Sequence, residues 1–350
     1  TPRTNLVAAI QSLEQTSGLP SPRPGGVWNK QSPRTAQNYL FVQNLKLSEA
    51  AEVARWAKRG GFDTVLINRN WSQSSGHHAI NTKLYPGGMA GLQEVAATLR
   101  AAGLRVGLHV MSPSVDLDDP YVAPVPDPGL VKDESIALSR NVGKSATFLP
   151  TAAAPRYFPT VDGGYEGRGT FVQLGREIIQ YESVSLDKPY GFKVSKRAAL
   201  GTMAGQHQAG APIEHLQRSW GFFLFDLNSE LADKITRRFC DVANAIDADM
   251  VYLDASERLQ GGSAQHWYYS ARLHEKYYAC LDDPDTLVQT STFKHFSWHI
   301  MARHATSDND GYSDIAAYYD QHVAPLMQKM QDNLMPIDSG WYRVFDDGVL

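Results

Sequence analysis

The sequence predicts an α/β chain, a (β/α)8-type barrel carrying an antiparallel β module inserted after its third strand. Three observations predict it. Short apolar runs of strand length alternate with amphipathic stretches of helix length, Gly signals punctuate them, and the rhythm lapses over residues 117–219 before it resumes. Such alternation is how a parallel sheet is wired, because parallel neighbours need a long crossover, usually a helix.

Residues 5–15 predict a short amphipathic helix, and the Pro/Gly-rich stretch Gly18–Gly26 ends it, so 1–37 reads as an N-terminal helix and linker. "NYLFVQN", from Asn38, is the first strand. Ser48 is the expected cap of "SEAAEVARWAKRGGF", and Gly60-Gly61 close that helix. "DTVLINRNW" is the second strand, "GGMAGLQEVAATLRAAGL" the second helix and "RVGLHVMS" the third strand. From Asp116 to about Trp220, Pro, Gly and Thr replace the helical period. Within this span Gly167–Leu216 alternates apolar positions with turn residues, the pattern of a small antiparallel sheet. A break directly after a strand's carboxyl end predicts a β-rich lobe near the barrel mouth.

After the lapse, "DLNSELADKITRRFCDVANAIDA" is a helix capped by Asn228 or Ser229, "DMVYLDASE" the fourth strand and "HWYYSARLHEKYYACL" a helix. "TLVQTST" is the fifth strand. A long helix kinked at Pro325 follows, then "LMPIDSGW" as the sixth strand. The catalytic barrel is thus assigned to 38–116 and 220–350. A closed barrel has eight units, and the six read here leave two open edges. Further residues or a second chain are expected to complete it.

With 43% hydrophobic and 20% charged residues, the 350-residue chain can bury a large core. A net charge of −4 gives no electrostatic case for nucleic acid or an anionic membrane. No apolar run of about 18 residues is present, so no spanning helix is expected. P-loop, GxGxxG and GxSxG motifs are missing, which argues against a nucleotide cofactor or a serine nucleophile. Neither a cofactor nor a metal is expected. Cys240 and Cys280 form no CxxC pattern and read as buried free thiols. The opening residues read as a mature or trimmed terminus, and the expected location is secreted or periplasmic.

Barrel chemistry sits at the carboxyl ends of the strands, so polar strand-end residues form the shortlist. Asp254 ends "MVYLD", where a carboxylate can face a substrate, and Glu257 follows in "ASE". Asp338 ends "LMPID". Paired carboxylates are what glycoside hydrolysis needs, although each could instead cap a helix or a turn. The substrate-binding candidates are Asn68, Arg69, Trp71, His78, His109, Arg272, Gln289, His295, His299, Trp341 and Arg343. Of the histidines, His109 at the end of strand three is the strongest. His295 and His299, four apart, would share a helix face as half a metal site, but no HExxH glutamate accompanies them. The tryptophans could stack on a sugar or simply fill the core.

The residues "GFDTVLINRNW … PGGMAGLQEVAATLRAAGLRVGLHVMSPS … DADMVYLDASE" resemble the retaining α-glycosidase barrels, the α-galactosidases and α-L-fucosidases. The resemblance implies Asp254 as nucleophile and Asp338 as the acid/base, with a carbohydrate as partner. The chain departs from those families at Tyr252, where the α-galactosidases carry Lys, in its large insertion, and in its incomplete barrel. Gly167–Leu216 separately resembles β modules of phage tail and bacterial surface proteins. The expected function is a glycoside hydrolase. A polysaccharide lyase using Arg69, Arg272 or Arg343 is the alternative, and a non-catalytic glycan-binding surface protein a further one.

Overall fold

A computed structural model describes residues 3–162, 167–292, 295–305, 315–318 and 343–344, together with a few positions from 320 to 328. Helix α1 (Arg3–Thr16) opens the chain. Its buried Glu14 accepts from the Trp28 indole at 2.7 Å and the Ser21 hydroxyl at 2.8 Å, which pins the helix to the linker that follows. The first barrel stretch runs β1 (Tyr39–Val42), α2 (Ala50–Arg59), β2 (Thr64–Ile67), α3 (Met89–Ala101) and β3 (Arg105–Met111). Ser48 does not cap α2; it lies inside a 3-10 turn, Leu47–Glu49, which tightens the entry so that Glu49 becomes the cap. Gly61 leaves α2 at φ 72°, a left-handed exit that suits glycine.

The chain then departs from the barrel through β4 (Ser114–Val115). Strands β5 (Lys132–Ala137), β6 (Phe148–Pro150), β7 (Phe171–Leu174), β8 (Glu177–Ser185), β9 (Gly191–Lys196) and β10 (Pro212–Leu216) form an antiparallel sheet in the order β5-β10-β7-β8-β9-β6. The sheet is wider than the alternation of 167–216 predicts, because β5 and β6 come from upstream turns-rich sequence and join its two edges. It has its own core, with Leu149, Val172, Ile179, Tyr181, Phe192 and Ile213 buried together. One polar knot locks it. The buried Glu177 accepts from Arg197 Nε and Nη2 (both 2.7 Å), His207 Nε2 (2.9 Å) and the backbone N–H groups of Ala198 (2.9 Å) and Gly205 (3.0 Å). Burial alone would raise this carboxyl, but the Arg197 guanidinium and the surrounding donors hold it down at about 2. The return runs through the hairpin β11 (Arg218–Ser219) and β12 (Phe222–Leu224), and β12 pairs antiparallel with β4.

The alternation resumes with α4 (Glu230–Ala245), β13 (Met250–Asp254), α5 (Gly262–Tyr278), β14 (Leu287–Thr290), β15 (Arg303–His304), α6 (Ile315–Tyr318) and β16 (Arg343–Val344). Ser229 caps α4, its hydroxyl accepting from Ala232 N. The sheet order is β15-β14-β13-β3-β2-β1-β16, and every pairing is parallel. This is a barrel wall with helices on its outer face. The strand count differs from the sequence reading. Arg303–His304 continues the wall after β14, and Arg343–Val344 pairs with β1 on the opposite edge. Neither two-residue strand offers a run long enough to show periodicity. "LMPIDSGW", most of the helix around Pro325, Asp338 and Trp341 lie outside the described residues. No helix among those described is long and apolar enough to cross a membrane.

The wall is buried on both faces. Val65, Val106, Leu108 and Val251 face the helices, whereas Phe41, Leu66, Met250, Tyr252 and Leu287 fill the barrel interior. Gly107 leaves room in that interior layer for Leu66, whose Cδ1 would stand 2.9 Å from a Cβ there and would have to shift. Cys240 and Cys280 correct the free-thiol reading. They form a disulfide, because α4 and the end of α5 lie side by side and bring the two Cα atoms to 5.8 Å. The bridge closes 40 residues that include β13. Replacing both cysteines by serine should lower unfolding free energy by about 2–4 kcal/mol in chemical denaturation, the usual gain from a loop of this size. An unchanged midpoint would show that helix packing alone fixes these elements.

Candidate active site

Met250, Tyr252 and Asp254 alternate onto one face of β13, the barrel interior, so the carboxylate stands at the top of a column of side chains. One strand away, His109 lies opposite Tyr252 in register and packs against its ring at 4.9 Å. His109 is buried, and its Nε2 lies 3.1 Å from Asp254 Oδ2. The Arg69 backbone N–H donates to His109 Nδ1 at 3.2 Å. That nitrogen must therefore be the acceptor, which puts the ring proton on Nε2, aimed at Asp254. The other oxygen, Oδ1, accepts from the Ala255 N–H at 2.7 Å. Ala255 is buried at φ 63°, a conformation that costs a non-glycine residue energy and that concentrates at functional sites. Asp254 is thus a fixed carboxylate held by two donors, with 12% of its side chain open.

Glu257 differs. Burial first, then the charge of Asp254, push its carboxyl above the usual glutamate value, against the donors Ser291 and Trp220. Its Oε2 is buried with no hydrogen-bond partner. Glu257 forms part of a cleft of about 780 Å³, with Arg258, Gly261 and His266 on one side and Asp133, Arg168 and Gln217 from the insertion on the other. The lobe expected near the barrel mouth does reach the carboxyl end of β13. The residues that line the cleft do not include Asp254, which lies close enough for its charge to act on Glu257.

The other candidates scatter. Asn68 caps the 3-10 turn Arg69–Trp71, accepting from Asn70 N at 3.3 Å. Arg69 pairs with Asp116 at 3.5 Å and lies over the Phe222 ring, so it braces the insertion at the barrel mouth. Trp71 corrects the sugar-stacking reading: it is 1% exposed, packs on Phe239, and donates its indole N–H to His109 O at 2.9 Å. It supports the histidine from below. His78 is likewise buried, tilted against Trp71 at 5.4 Å, and burial pushes it down to about 3, so it meets no substrate.

Gln289 does not reach the mouth either. It is buried in the barrel interior and donates to Tyr39 Oη at 2.9 Å. Arg272 sits on α5, paired with Glu275 one turn away at 3.0 Å. His295 and His299 do not share a helix face, because the helix there is a single 3-10 turn, His295–Ser297. His299 is half-buried and lowered by burial and then by Lys30, and its backbone carbonyl accepts from Asn29. Arg343 is placed only as backbone beside β1. No cluster of metal-ligand type occurs among the described residues. Sequence reasoning missed Asp133, Arg168 and Trp220. Only the last had a signal, a two-residue Trp-Gly turn in "RSWGF".

No family model matches this sequence, and no curated protein does. Among solved structures, the chain is similar to the GH36 α-galactosidase AgaA from Geobacillus stearothermophilus in complex with stachyose. The identity is 13% and the TM-score 0.48, over 89% of this chain and 36% of that one. It is also similar to TtGalA, the α-galactosidase from Thermus thermophilus, at 14% identity and a TM-score of 0.46, over 87% and 51% of the two chains. Eubacterium rectale Amy13B matches at 11% and 0.45, over 84% and 55%. The chain spans well under two thirds of the length of the structures it matches, 27% of an α-galactosidase from Lactobacillus brevis and 40% of TtGalA with stachyose. Likeness at this level speaks to neither substrate nor mechanism.

Two outcomes follow from the site's packing. Trp71→Ala should destabilise the fold by about 3–5 kcal/mol in thermal or urea melts, as for a buried tryptophan. A loss under about 1 kcal/mol would mean that the ring is not core. Glu257, raised in the folded state, adds stability that is complete below the unfolded-state glutamate value and lost as pH rises through the folded one. Glu257→Gln should therefore gain stability relative to the parent as pH rises from about 4, the ordinary glutamate value, through the raised one, read as the difference in melting temperature. A constant difference across that range would contradict the raised value.

Proposed function

We propose that the chain is a glycoside hydrolase in which Asp254 is the nucleophile. The observation that carries this reading is the Arg69 N–H···His109···Asp254 relay, which aims an acceptor-only carboxylate from the end of a central barrel strand toward the mouth. A nucleophile must be held still, and two donors with a left-handed residue behind them hold Asp254. Glu257 is the proton donor. Its carboxyl keeps its proton to higher pH because it is buried beside Asp254, and divergent environments for two neighbouring carboxyls are the usual basis of acid/base division of labour. In the first step Asp254 forms a bond to the anomeric carbon while Glu257 gives its proton to the departing glycosidic oxygen. In the second, Glu257 as base takes a proton from water, which displaces Asp254. Asp338 remains the alternative proton donor.

The lyase reading is less favoured, because Arg69 and Arg272 are both engaged by carboxylates. A disulfide is the bond of an oxidising compartment, which supports a secreted or periplasmic location.

Reducing-sugar release from a panel of poly- and oligosaccharides, with ultraviolet absorbance followed in parallel, tests the class. Asp254→Asn should abolish release while unfolding free energy stays within about 1 kcal/mol. Full activity in that variant, or an absorbing unsaturated product, would overturn the assignment. The basic limb of kcat/KM should follow Glu257, and Glu257→Gln should remove it. If the limb survives in Glu257→Gln and disappears in Asp338→Asn, the proton donor is Asp338.

A further inference from the structure

The hairpin β11–β12 turns through Trp220 and Gly221, at φ 53° and 86°. Two-residue hairpin turns with both central residues at positive φ favour Asn and Gly, so a tryptophan there is a costly choice. Burial in a core does not account for it, since the residue is 46% exposed. What the turn does is carry the indole to Glu257, to which its N–H donates. A second group from the insertion faces the same glutamate across the cleft. Arg168 donates through Nε (2.9 Å) and Nη2 (2.6 Å) to Asp133 Oδ2. The other oxygen of Asp133 meets Nδ1 of the fully buried His215, whose Nε2 is anchored on Gly169 O at 2.9 Å. Arg168 keeps 39% of its side chain open. The pair is thus rigid behind and open in front.

We propose that the insertion supplies the leaving-group subsite of the site, with the Trp220 ring stacking on a neutral sugar and the Arg168–Asp133 pair binding its hydroxyls. The inference rests on the glycosidase reading, in which the bond to be cut lies between Asp254 and Glu257. A ring bonded to the proton donor, and an ion pair that lines the same cleft, flank the departing sugar. An aromatic face suits the C–H face of a pyranose, and a guanidinium beside a carboxylate offers donors and an acceptor to adjacent hydroxyls. Arg168 is already paired with both Asp133 and Glu134, so its charge does not call for an anion.

Binding to the full chain carrying Asp254→Asn, which holds sugar without turning it over, separates this proposal from the one beneath it. The probes are arrayed neutral di- to hexasaccharides, uronate-containing oligosaccharides and the constituent monosaccharides, followed by calorimetry on the best neutral ligand. Adding Trp220→Ala or Arg168→Gln should weaken that oligosaccharide about tenfold or more, and its terminal monosaccharide by less than about threefold. Trp220→Phe keeps a ring and should retain most of the affinity, which also guards against a hairpin that fails to fold. Equal weakening of both ligands, no weakening of either, or a preference for uronates overturns the subsite while leaving the glycosidase reading intact. A parent that releases no sugar, together with a variant that binds none, overturns both.

Discussion

One backbone N–H, that of Arg69, governs the geometry on which the site depends. By donating to His109 Nδ1 at 3.2 Å it leaves the imidazole a single way to carry its proton, and that proton points at Asp254. The constraint is inherited from the fold. Parallel register sets β2, β3 and β13 side by side, so a turn leaving β2, a ring on β3 and a carboxylate on β13 meet at one level. Trp71 closes the arrangement from beneath by bonding the histidine's own carbonyl. Moving β3 or β13 by a single residue would send His109 or Asp254 to the helix side of the wall, where neither could be solvated or paired.

Two glutamates illustrate how the same residue type is used to opposite ends. Glu177 is surrounded by five donors at 2.7–3.0 Å, and the charge it buries holds the antiparallel sheet together. Glu257 has been given fewer partners and an anionic neighbour, so one oxygen goes unsatisfied. A fold pays for such a group in stability, and tolerates it where protonation must change during use.

Much of the parallel wall was legible in the sequence because its longer strands are buried on both faces and read as continuous apolar runs, "YLFV", "TVLI" and "VGLHV" among them. Position alone put Asp254 and His109 on the shortlist, since inward residues near the carboxyl end of a buried strand lie toward the barrel mouth. The rest was illegible for definite reasons. Strands β15 and β16 have two residues each and no periodicity to detect. Trp71 and His78 follow the carboxyl end of strand two and so joined the shortlist, yet the loop folds back under β3, a matter of tertiary packing. The cysteines are separated by 40 residues along the chain and become neighbours only when two helices pack. The elements of the cleft contributed by the insertion, Asp133 and Arg168, depend on how two sheets meet, which no local pattern encodes.

The base of the insertion has a consequence for how such a chain arises. Strand β4, by which the chain leaves the wall, is paired with β12, by which it returns. To the barrel, the long excursion between them is equivalent to a short closed turn. Loop-closure entropy grows only slowly with length once the ends are tied, so the excursion could be lengthened, exchanged or shortened to a few residues with little strain on the strands that flank it. A barrel with a clasp of this kind keeps its reacting groups in place while the neighbouring wall is free to diverge, and new specificities become reachable by exchanging a cassette instead of repacking a core.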